Sequence, residues 1–285
     1  MKICRFTHGD SAVRLGLVAD ETTVVDLTPA GITTLQNVLE AGDPVALLQS
    51  AADGPLPRLA LADVVLRAPV ERQEVWAAGV TYLRSKAARM EESDFSATAY
   101  DRVYSADRPE IFFKALAEKV AAPGETVGIR RDARWSVPEP ELALVLNSRG
   151  ALVGCTIGND MSSRDIEGEN LLYLPQAKTY DRSCALGPWI LLGATEAKAR
   201  DWAVRLEILR AGRPAFAGTT SIGQIKRSFT ELAGYLFRSQ TFAQGAVLLT
   251  GTGIVPPDDF TLQPGDVVGI DISGIGRLQN TVAVV

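Results

Sequence analysis

Two glutamates separated by one residue stand at the start of an apolar segment, in the sequence PEPELALVL at residues 138–146. On a β-strand, side chains two positions apart point to the same face, so Glu139 and Glu141 are predicted to project side by side. Carboxylates this close repel each other, and burial increases the repulsion. The usual relief is a proton, a lysine or arginine, or a metal cation. Alternatively, the pair is a solvated strand end with two surface carboxylates.

A third carboxylate follows at the end of the next apolar segment, ALVGCTIGND, which ends at Asp160. Its distance from Glu141 along the chain is typical of a hairpin. If the two segments pair as strands, three carboxylates converge at one end of that hairpin. Three oxygen ligands with open positions suit Mg²⁺, Mn²⁺ or Ca²⁺ better than zinc. Taken alone, Asp160 is also typical of a residue that caps a turn.

A long polar segment, MSSRDIEGENLLYLPQAKTYDRSCALGPW, comes next and carries groups suited to proton transfer or anion binding. These groups are Arg164, Asp165, Gln176 and Lys178. A partly buried lysine near carboxylates and a cation is suited to be an acid, a base or an anion clamp. The alternative for Lys178 is an ordinary surface lysine.

Composition excludes several other chemistries. The chain of 285 residues has one histidine, His8, and three cysteines without a CxxC motif. Zinc sites with several histidines, or with cysteines alone, are therefore excluded. We read His8 as incidental and the cysteines as reduced, buried thiols. The net charge of −5 comes without a basic stripe, so we expect no nucleic-acid partner.

The chain has the composition of a globular protein, with 46% hydrophobic and 22% charged residues. No segment reaches about 18 uninterrupted apolar residues, and the N-terminus shows no signal or transit pattern. We therefore expect a cytoplasmic protein without a membrane partner.

The elements that must position these groups are mostly short strands. Residues 1–27 alternate as strands do, and residues 34–50 predict a helix broken at Gly42 and Pro44. A change in pattern near residue 70 predicts a small N-terminal domain, 1–70, and a larger domain, 71–285.

One amphipathic helix and two glycine-rich turns complete the pattern. The segment 219–239 predicts a helix whose apolar face carries Ile225, Phe229, Leu232 and Leu236. TGTGIVP and GIGRL are incomplete as phosphate-binding motifs and are interpreted as turns, with hydroxyls offered by Thr250 and Thr252.

Five segments in this order resemble the fumarylacetoacetate hydrolase family: PEPELALVL, IGNDMSSRDIE, QAKTYDRSCALGPWI, LLTGTG and GIGRLQNTV. The resemblance covers about residues 75–285. It implies a mainly β fold with some α, a β-roll with a small N-terminal α+β domain, and a homodimer or homotetramer. It also implies that Glu139, Glu141 and Asp160 ligate Mg²⁺, or Mn²⁺ or Ca²⁺ in its place.

Within the family, the segments RPEIFFKA, SVPEPELALVL and IEGENLLYLPQAKTY resemble dehydratases of 2-keto-3-deoxy sugar acids. The family's hydrolases carry an NY-x-x-H element, but the corresponding stretch here, VTYLRSKAARMEES, has no histidine. This difference favours elimination over C–C hydrolysis. The resemblance thus implies dehydration of 2-keto-3-deoxy-D-arabinonate, or its C4 epimer, to 2,5-dioxopentanoate.

The same resemblance suggests roles for further residues. Glu110 and Lys178 are the candidates for proton transfer, and either one can be the base. The candidates for substrate binding are Tyr82, Arg84, Ser85, Gln176 and Thr252.

Two alternatives stay open. The first is an acylpyruvate hydrolase or oxaloacetate decarboxylase, since both reactions start from a chelated 2-oxo acid on the same metal. The second is a non-catalytic ligand-binding member of the fold.

Overall fold

The protein is built mainly from β-strands. The computed structural model describes residues 1–9, 12–83 and 102–285. Within these ranges the strands form one large mixed sheet, a second sheet of five strands and a two-stranded ribbon. The prediction of a mainly β fold with some α is confirmed.

The strands of the described part are, in chain order, β1 (Lys2–Thr7), β2 (Arg14–Val18), β3 (Thr23–Asp26), β4 (Arg58–Ala60), β5 (Val65–Arg67), β6 (Glu74–Gly79), β7 (Glu110–Ala115), β8 (Val120–Ala121), β9 (Thr126–Ile129), β10 (Ser136–Val137), β11 (Pro140–Leu146), β12 (Leu152–Asp160), β13 (Ser162–Ser163), β14 (Cys184–Leu192), β15 (Ala203–Arg210), β16 (Arg213–Ser221), β17 (Ala246–Leu249), β18 (Val267–Ile272) and β19 (Gly276–Val284). The α-helices whose two ends are described span Leu35–Leu39, Pro44–Ala52, Arg164–Glu169, Leu174–Lys178, Glu196–Ala199 and Phe229–Phe237. Short 3₁₀ turns span Thr28–Ala30, Leu61–Asp63, Ala117–Lys119, Leu171–Tyr173 and Ile222–Gln224.

The large sheet runs from the N-terminal strands to the strands that carry the carboxylates. Its order is β4-β3-β2-β1-β14-β12-β11-β17-β6-β7, with β5 paired to β1 and β8 to β14. The N-terminal strands join this sheet through the antiparallel pair β1–β14. The apolar residues of the N-terminal part also pack against Val145, Val153, Ile190 and Leu192. The domain boundary near residue 70 stays a prediction.

The two short N-terminal helices are separated as the sequence indicates. The first begins after Thr34, whose hydroxyl accepts a hydrogen bond from the Asn37 N–H. The second begins after Asp43, whose carboxylate accepts from two backbone N–H groups, and Pro44 occupies a position where no N–H is needed. The predicted break at Gly42 and Pro44 is therefore confirmed.

The main hydrophobic core lies between the large sheet and the second sheet, whose strand order is β16-β15-β18-β19-β9. Leu144 of β11 and Ile157 of β12 contribute from the first sheet, and Leu206 and Ile270 from the second. The helix Phe229–Phe237 closes this core with Phe229, Leu232, Ala233 and Leu236.

The amphipathic helix is shorter than predicted. It begins after Ser228, whose hydroxyl accepts from the Glu231 N–H at 3.0 Å, so the capping residue fixes its start. Ile225 is buried in the same core but precedes the helix, and the start of the predicted segment belongs to β16. The placement of Ile225 on the helix face is therefore wrong.

The three cysteines are free and buried, as predicted. Burial raises the pKa of each thiol to about 12, so none is a thiolate near neutral pH. His8 lies exposed at the end of β1. Among the described residues, no helix combines the length and the apolar character needed to cross a bilayer.

Replacing Leu232 with alanine is expected to lower the free energy of unfolding by about 2–5 kcal/mol, because it opens a cavity in the main core. The control is Gly234→Ala on the same helix, since Gly234 is exposed and a Cβ there meets nothing within 4 Å. That change is expected to raise the free energy of unfolding by roughly 0.5–1 kcal/mol. Urea unfolding followed by circular dichroism measures both, and effects of the same sign and size would contradict this orientation of the helix.

Candidate active site and metal centre

The hairpin of β11 and β12 brings the three carboxylates together. The strands pair antiparallel, with Glu141 opposite Gly158, and the Asp160 N–H donates to the Glu139 carbonyl oxygen at 3.0 Å. Glu139, Glu141 and Asp160 are 4%, 2% and 1% exposed, and one oxygen of each lies within 4.8 Å of the others. The alternatives of surface carboxylates and an exposed turn cap are therefore excluded.

The carboxylates lie where strand pairing is interrupted. Beyond Glu139 and Asp160 the same two chain segments pair again, as the ribbon of β10 and β13. Pro138 and Pro140 lack N–H donors, which suits a point where the regular ladder stops. The break lets both acidic side chains turn into one buried space while backbone pairing on either side holds them.

Lys178 and Arg164 come from the segment that follows β12. Lys178 is the last residue of its helix and is 1% exposed; its Nζ lies 2.6 Å from Glu139 Oε2 and 3.1 Å from Asp160 Oδ2. Arg164 is the first residue of the preceding helix, and its Nη2 lies 2.9 Å from Glu139 Oε1. Lys178 is therefore not a surface lysine, since it bridges two of the three carboxylates.

Lys114 also belongs to the cluster, although the sequence reasoning assigned it no role. Its Nζ lies 2.6 Å from Asp160 Oδ1, and the side chain is fully buried. Burial lowers the pKa of Lys114, and the Asp160 carboxylate opposes that shift. The available signal was a single charged residue within the apolar strand segment IFFKAL.

Glu141 differs from the other two carboxylates because, within the described ranges, no lysine or arginine forms an ion pair with it. Its Oε2 accepts a hydrogen bond from the Gly251 N–H at 2.6 Å. Burial, and then the charges of Asp160 and Glu139, raise the pKa of Glu141 well above its usual range. An additional cation is the partner that this carboxylate lacks.

The donor set fits a hard divalent ion. Three buried carboxylates offer only oxygen ligands, which Mg²⁺, Mn²⁺ and Ca²⁺ prefer. An ion there would offset the repulsion that disfavours the charge of Glu141. Their assignment as metal ligands stays a prediction that this geometry supports.

Gly251 positions Glu141 and explains the TGTG sequence. The residue has φ of 88°, and a Cβ would collide with the Thr81 hydroxyl, so both conformation and space require glycine. The neighbouring Thr250 is tied to the Leu142 carbonyl oxygen through its N–H and its hydroxyl. Thr252 is 3% exposed, and its Oγ1 accepts from the Ile254 N–H at 3.2 Å. The segment is an irregular loop with a bend at Gly253 where a turn was predicted, and it opens no helix.

One face of β7 is directed at the cluster. Glu110, Phe112 and Lys114 are every second residue of the strand and share this face. Lys178 Nζ lies 5.7 Å from the centre of the Phe112 ring. Glu110 is half-buried at the start of the strand, opposite Gly79, and its carboxylate lies where a Cβ of Gly79 would be. Glu110 thus lies at the outer end of this face, and Lys114 lies at its buried end.

The predicted substrate-binding residues are placed differently from one another. Tyr82 is 2% exposed and lies against Gly253; burial and the nearby Glu141 carboxylate raise the pKa of its hydroxyl. Gln176 is exposed, and its backbone carbonyl oxygen accepts from Arg130 Nη1 at 3.2 Å. Arg84 and Ser85 lie outside the described residues. The roles of all these residues stay predictions.

The fold and the site define a β-rich protein with a buried carboxylate and lysine centre. The family described as fumarylacetoacetate (FAA) hydrolase C-terminal matches residues 74–283. A probable 2-keto-3-deoxyxylonate dehydratase of Haloferax volcanii is 48% identical over 217 residues, which are 76% of this chain and 74% of the relative. A 2-dehydro-3-deoxy-D-arabinonate dehydratase of Saccharolobus solfataricus is 36% identical over 266 residues, 92% of this chain and 89% of the relative.

A solved structure shows the same likeness over the full length. It is a 2-keto-3-deoxy-D-arabinonate dehydratase complexed with magnesium and 2,5-dioxopentanoate, with a TM-score of 0.82, 32% identity and coverage of 100% of this chain and 99% of that chain. The chain belongs to the fumarylacetoacetate hydrolase family. The predicted family fold and the likeness to the family's sugar-acid dehydratases are confirmed.

Glutamine substitutions should separate the two glutamates in metal-free protein. Glu139→Gln is expected to lower the free energy of unfolding by about 3 kcal/mol or more, because Lys178 and Arg164 lose a buried counter-charge. Glu141→Gln is expected to change it by less than about 1 kcal/mol, since it removes a charge that the site already disfavours. Urea unfolding in EDTA measures both. Equal destabilisation by the two changes would show that Glu141 has a counter-charge of its own.

Proposed function

We propose that the protein is a Mg²⁺-dependent dehydratase that converts a 2-keto-3-deoxy sugar acid to 2,5-dioxopentanoate. The substrate is 2-keto-3-deoxy-D-arabinonate or its C4 epimer, the xylonate form. The observation that carries the proposal is the buried cluster in which Lys178 bridges two of three carboxylates. Relatives named as dehydratases of both epimers support it.

In this proposal Glu139, Glu141 and Asp160 hold the metal ion. When bound, Mg²⁺ supplies Lewis-acid polarisation of the substrate's carboxylate and 2-oxo group, which acidifies the protons on C3. Substrates with a 2-oxo acid group would suit such a centre because they carry the oxygen donors that a hard divalent ion prefers. The Mg²⁺ and 2,5-dioxopentanoate of the solved neighbour support the same pairing of ion and ligand.

The protein's own groups then move protons. One group removes a proton from C3, and another donates a proton to the 4-hydroxyl as it leaves as water. Loss of a C5 proton and ketonisation complete the product, in which C4 is no longer a stereocentre. Lys178 and Glu110 are the proposed pair, because Lys178 is inside the cluster and Glu110 lies on the same face of β7 as Lys114.

Tyr82 and Thr252 are proposed to line the substrate space, since both are buried near Glu141 or next to the turn that holds it. Arg84, Ser85 and Gln176 are retained as proposed substrate contacts from the family resemblance. A homodimer or homotetramer and a cytoplasmic location also stay predictions.

Incubation with each sugar acid and Mg²⁺ is expected to yield 2,5-dioxopentanoate, detected by mass spectrometry, and EDTA should abolish it. Acetylpyruvate and oxaloacetate are run in parallel, with Glu141→Gln as an inactive control. Cleavage of either parallel substrate, with both sugar acids untouched, would support the hydrolase or decarboxylase alternative. Mg²⁺-dependent binding of all substrates without turnover would support the non-catalytic one.

Proton exchange in D₂O should assign the base. Lys178→Met and Glu110→Gln are each expected to lower kcat by about 10²–10⁴-fold. The variant that lacks the base should also stop incorporating deuterium at C3, whereas the variant that lacks the acid should still exchange C3 but release no water. NMR of the recovered substrate measures the exchange, corrected by a sample without enzyme. Full activity in both variants would contradict the proposed pair.

A further inference from the structure

Lys114 is the most enclosed of the described cations of the site. Its side chain is fully buried, and three oxygens from outside its own strand lie around its Nζ. Asp160 Oδ1 is 2.6 Å away and the Met161 carbonyl oxygen accepts a hydrogen bond at 2.9 Å. The third is the carbonyl oxygen of Lys178, which also accepts a hydrogen bond.

The surroundings of Lys114 limit what it can do. Its Nζ donates hydrogen bonds to two carbonyl oxygens, and the Asp160 carboxylate at 2.6 Å forms an ion pair with it. Because the side chain is fully buried and these three oxygens all belong to the protein, Lys114 is better placed to hold the site together than to donate a proton to a substrate.

The contacts of Lys114 connect the two groups that the reaction needs. Asp160 receives Lys114 on one oxygen and Lys178 Nζ, at 3.1 Å, on the other. Lys114 also holds the backbone of Lys178 itself, at the end of its helix. One ammonium from β7 thus sets the separation between the end of β12 and the helix that carries the proposed proton-transfer lysine.

The charge of Lys114 has a second effect. In the metal-free cluster it compensates Asp160, so the carboxylates stay assembled although they are buried. Toward a divalent ion on the same carboxylate it is a fixed positive charge, and the two repel each other in a region of low dielectric. The same residue is therefore expected to stabilise the metal-free site and to weaken its affinity for the ion.

We propose that Lys114 is a positioning residue that holds Asp160 and Lys178 at a fixed separation before the metal ion binds. Its positive charge also lowers the affinity of the site for that ion. This inference rests on the proposed metal-dependent function. It separates Lys114 from a residue that merely fills the core, because loss of packing alone does not tighten metal binding.

The test compares Lys114→Met with Lys119→Met. Methionine keeps the length of the side chain without the charge, and Lys119 is a half-exposed lysine nearby that pairs with Asp181 on the surface. Calorimetric titration of metal-free protein with MgCl₂ is expected to give a Kd lower by about tenfold or more for Lys114→Met. At saturating Mg²⁺ its kcat for the sugar acid is expected to fall by about 100-fold, since Lys178 is misplaced. Lys119→Met should match the wild type in both.

The outcomes separate this inference from the proposed function. Wild-type protein that binds Mg²⁺, together with a Lys114→Met variant whose Kd is unchanged or higher, would overturn the role of Lys114 alone. Wild-type protein that binds no Mg²⁺ would overturn the metal site and this inference with it.

If Lys114→Met does not fold, NMR of the wild-type lysine ammonium groups decides. A slowly exchanging ¹⁵Nζ resonance that remains in Lys178→Met is assigned to Lys114, the other fully buried lysine of the described ranges. The inference expects that resonance in metal-free protein and expects it to shift on addition of MgCl₂. Its absence, or a resonance that does not move, would overturn the inference.

Discussion

The constraint on which the rest of the site depends is the burial of three carboxylates in one small space. Charges removed from water must be paired, or one of them must take up a proton. Among the described residues, Lys114, Lys178 and Arg164 pair with Glu139 and Asp160, and Glu141 accepts a hydrogen bond from a backbone N–H. The excess negative charge is therefore confined to one carboxylate, Glu141. A metal ion would stabilise the site most at this position.

Satisfying this constraint determines which parts of the fold must meet. The acids come from one hairpin, but their counter-charges come from β7 and from two helices that follow β12. The hairpin itself lies inside the large sheet, with β17 on one side and β14 on the other. The carboxylates are therefore held by strands paired on both sides, a rigid support of the kind that preorganised sites need.

The local part of this arrangement could be predicted from the sequence. The side-chain alternation along PEPELALVL predicted Glu139 and Glu141 on one face. The hairpin-like spacing predicted that Asp160 lies near them. Both predictions depend only on two strands that are adjacent in sequence. Capping residues likewise explain the broken helix at Gly42 and Pro44, although the start of the later helix at Ser228 left Ile225 outside it.

Contacts between distant segments could not be predicted in the same way. The strand pattern shows which side chains share a face with Lys114 but not that Asp160 and the Lys178 backbone lie opposite that face. Gln176 is a second example. It lies two residues before Lys178 on the same short helix, but this spacing does not show whether a side chain is buried, and Gln176 is exposed. Single-sequence reasoning lacks the long-range pairing that decides such cases.

The pairing of β1 with β14 has a consequence for how the protein can be divided. Ile3 lies opposite Ile190 and Lys2 opposite Leu191, so the N-terminal strands cover one side of a strand that also borders β12. A shortened protein beginning at residue 71 would expose that side as a new sheet edge beside the apolar residues Val153 and Leu192. Exposed apolar edges recruit further strands from other molecules. The N-terminal part thus covers an edge that would otherwise be open to pairing, and engineered versions of the larger part would need a substitute for it.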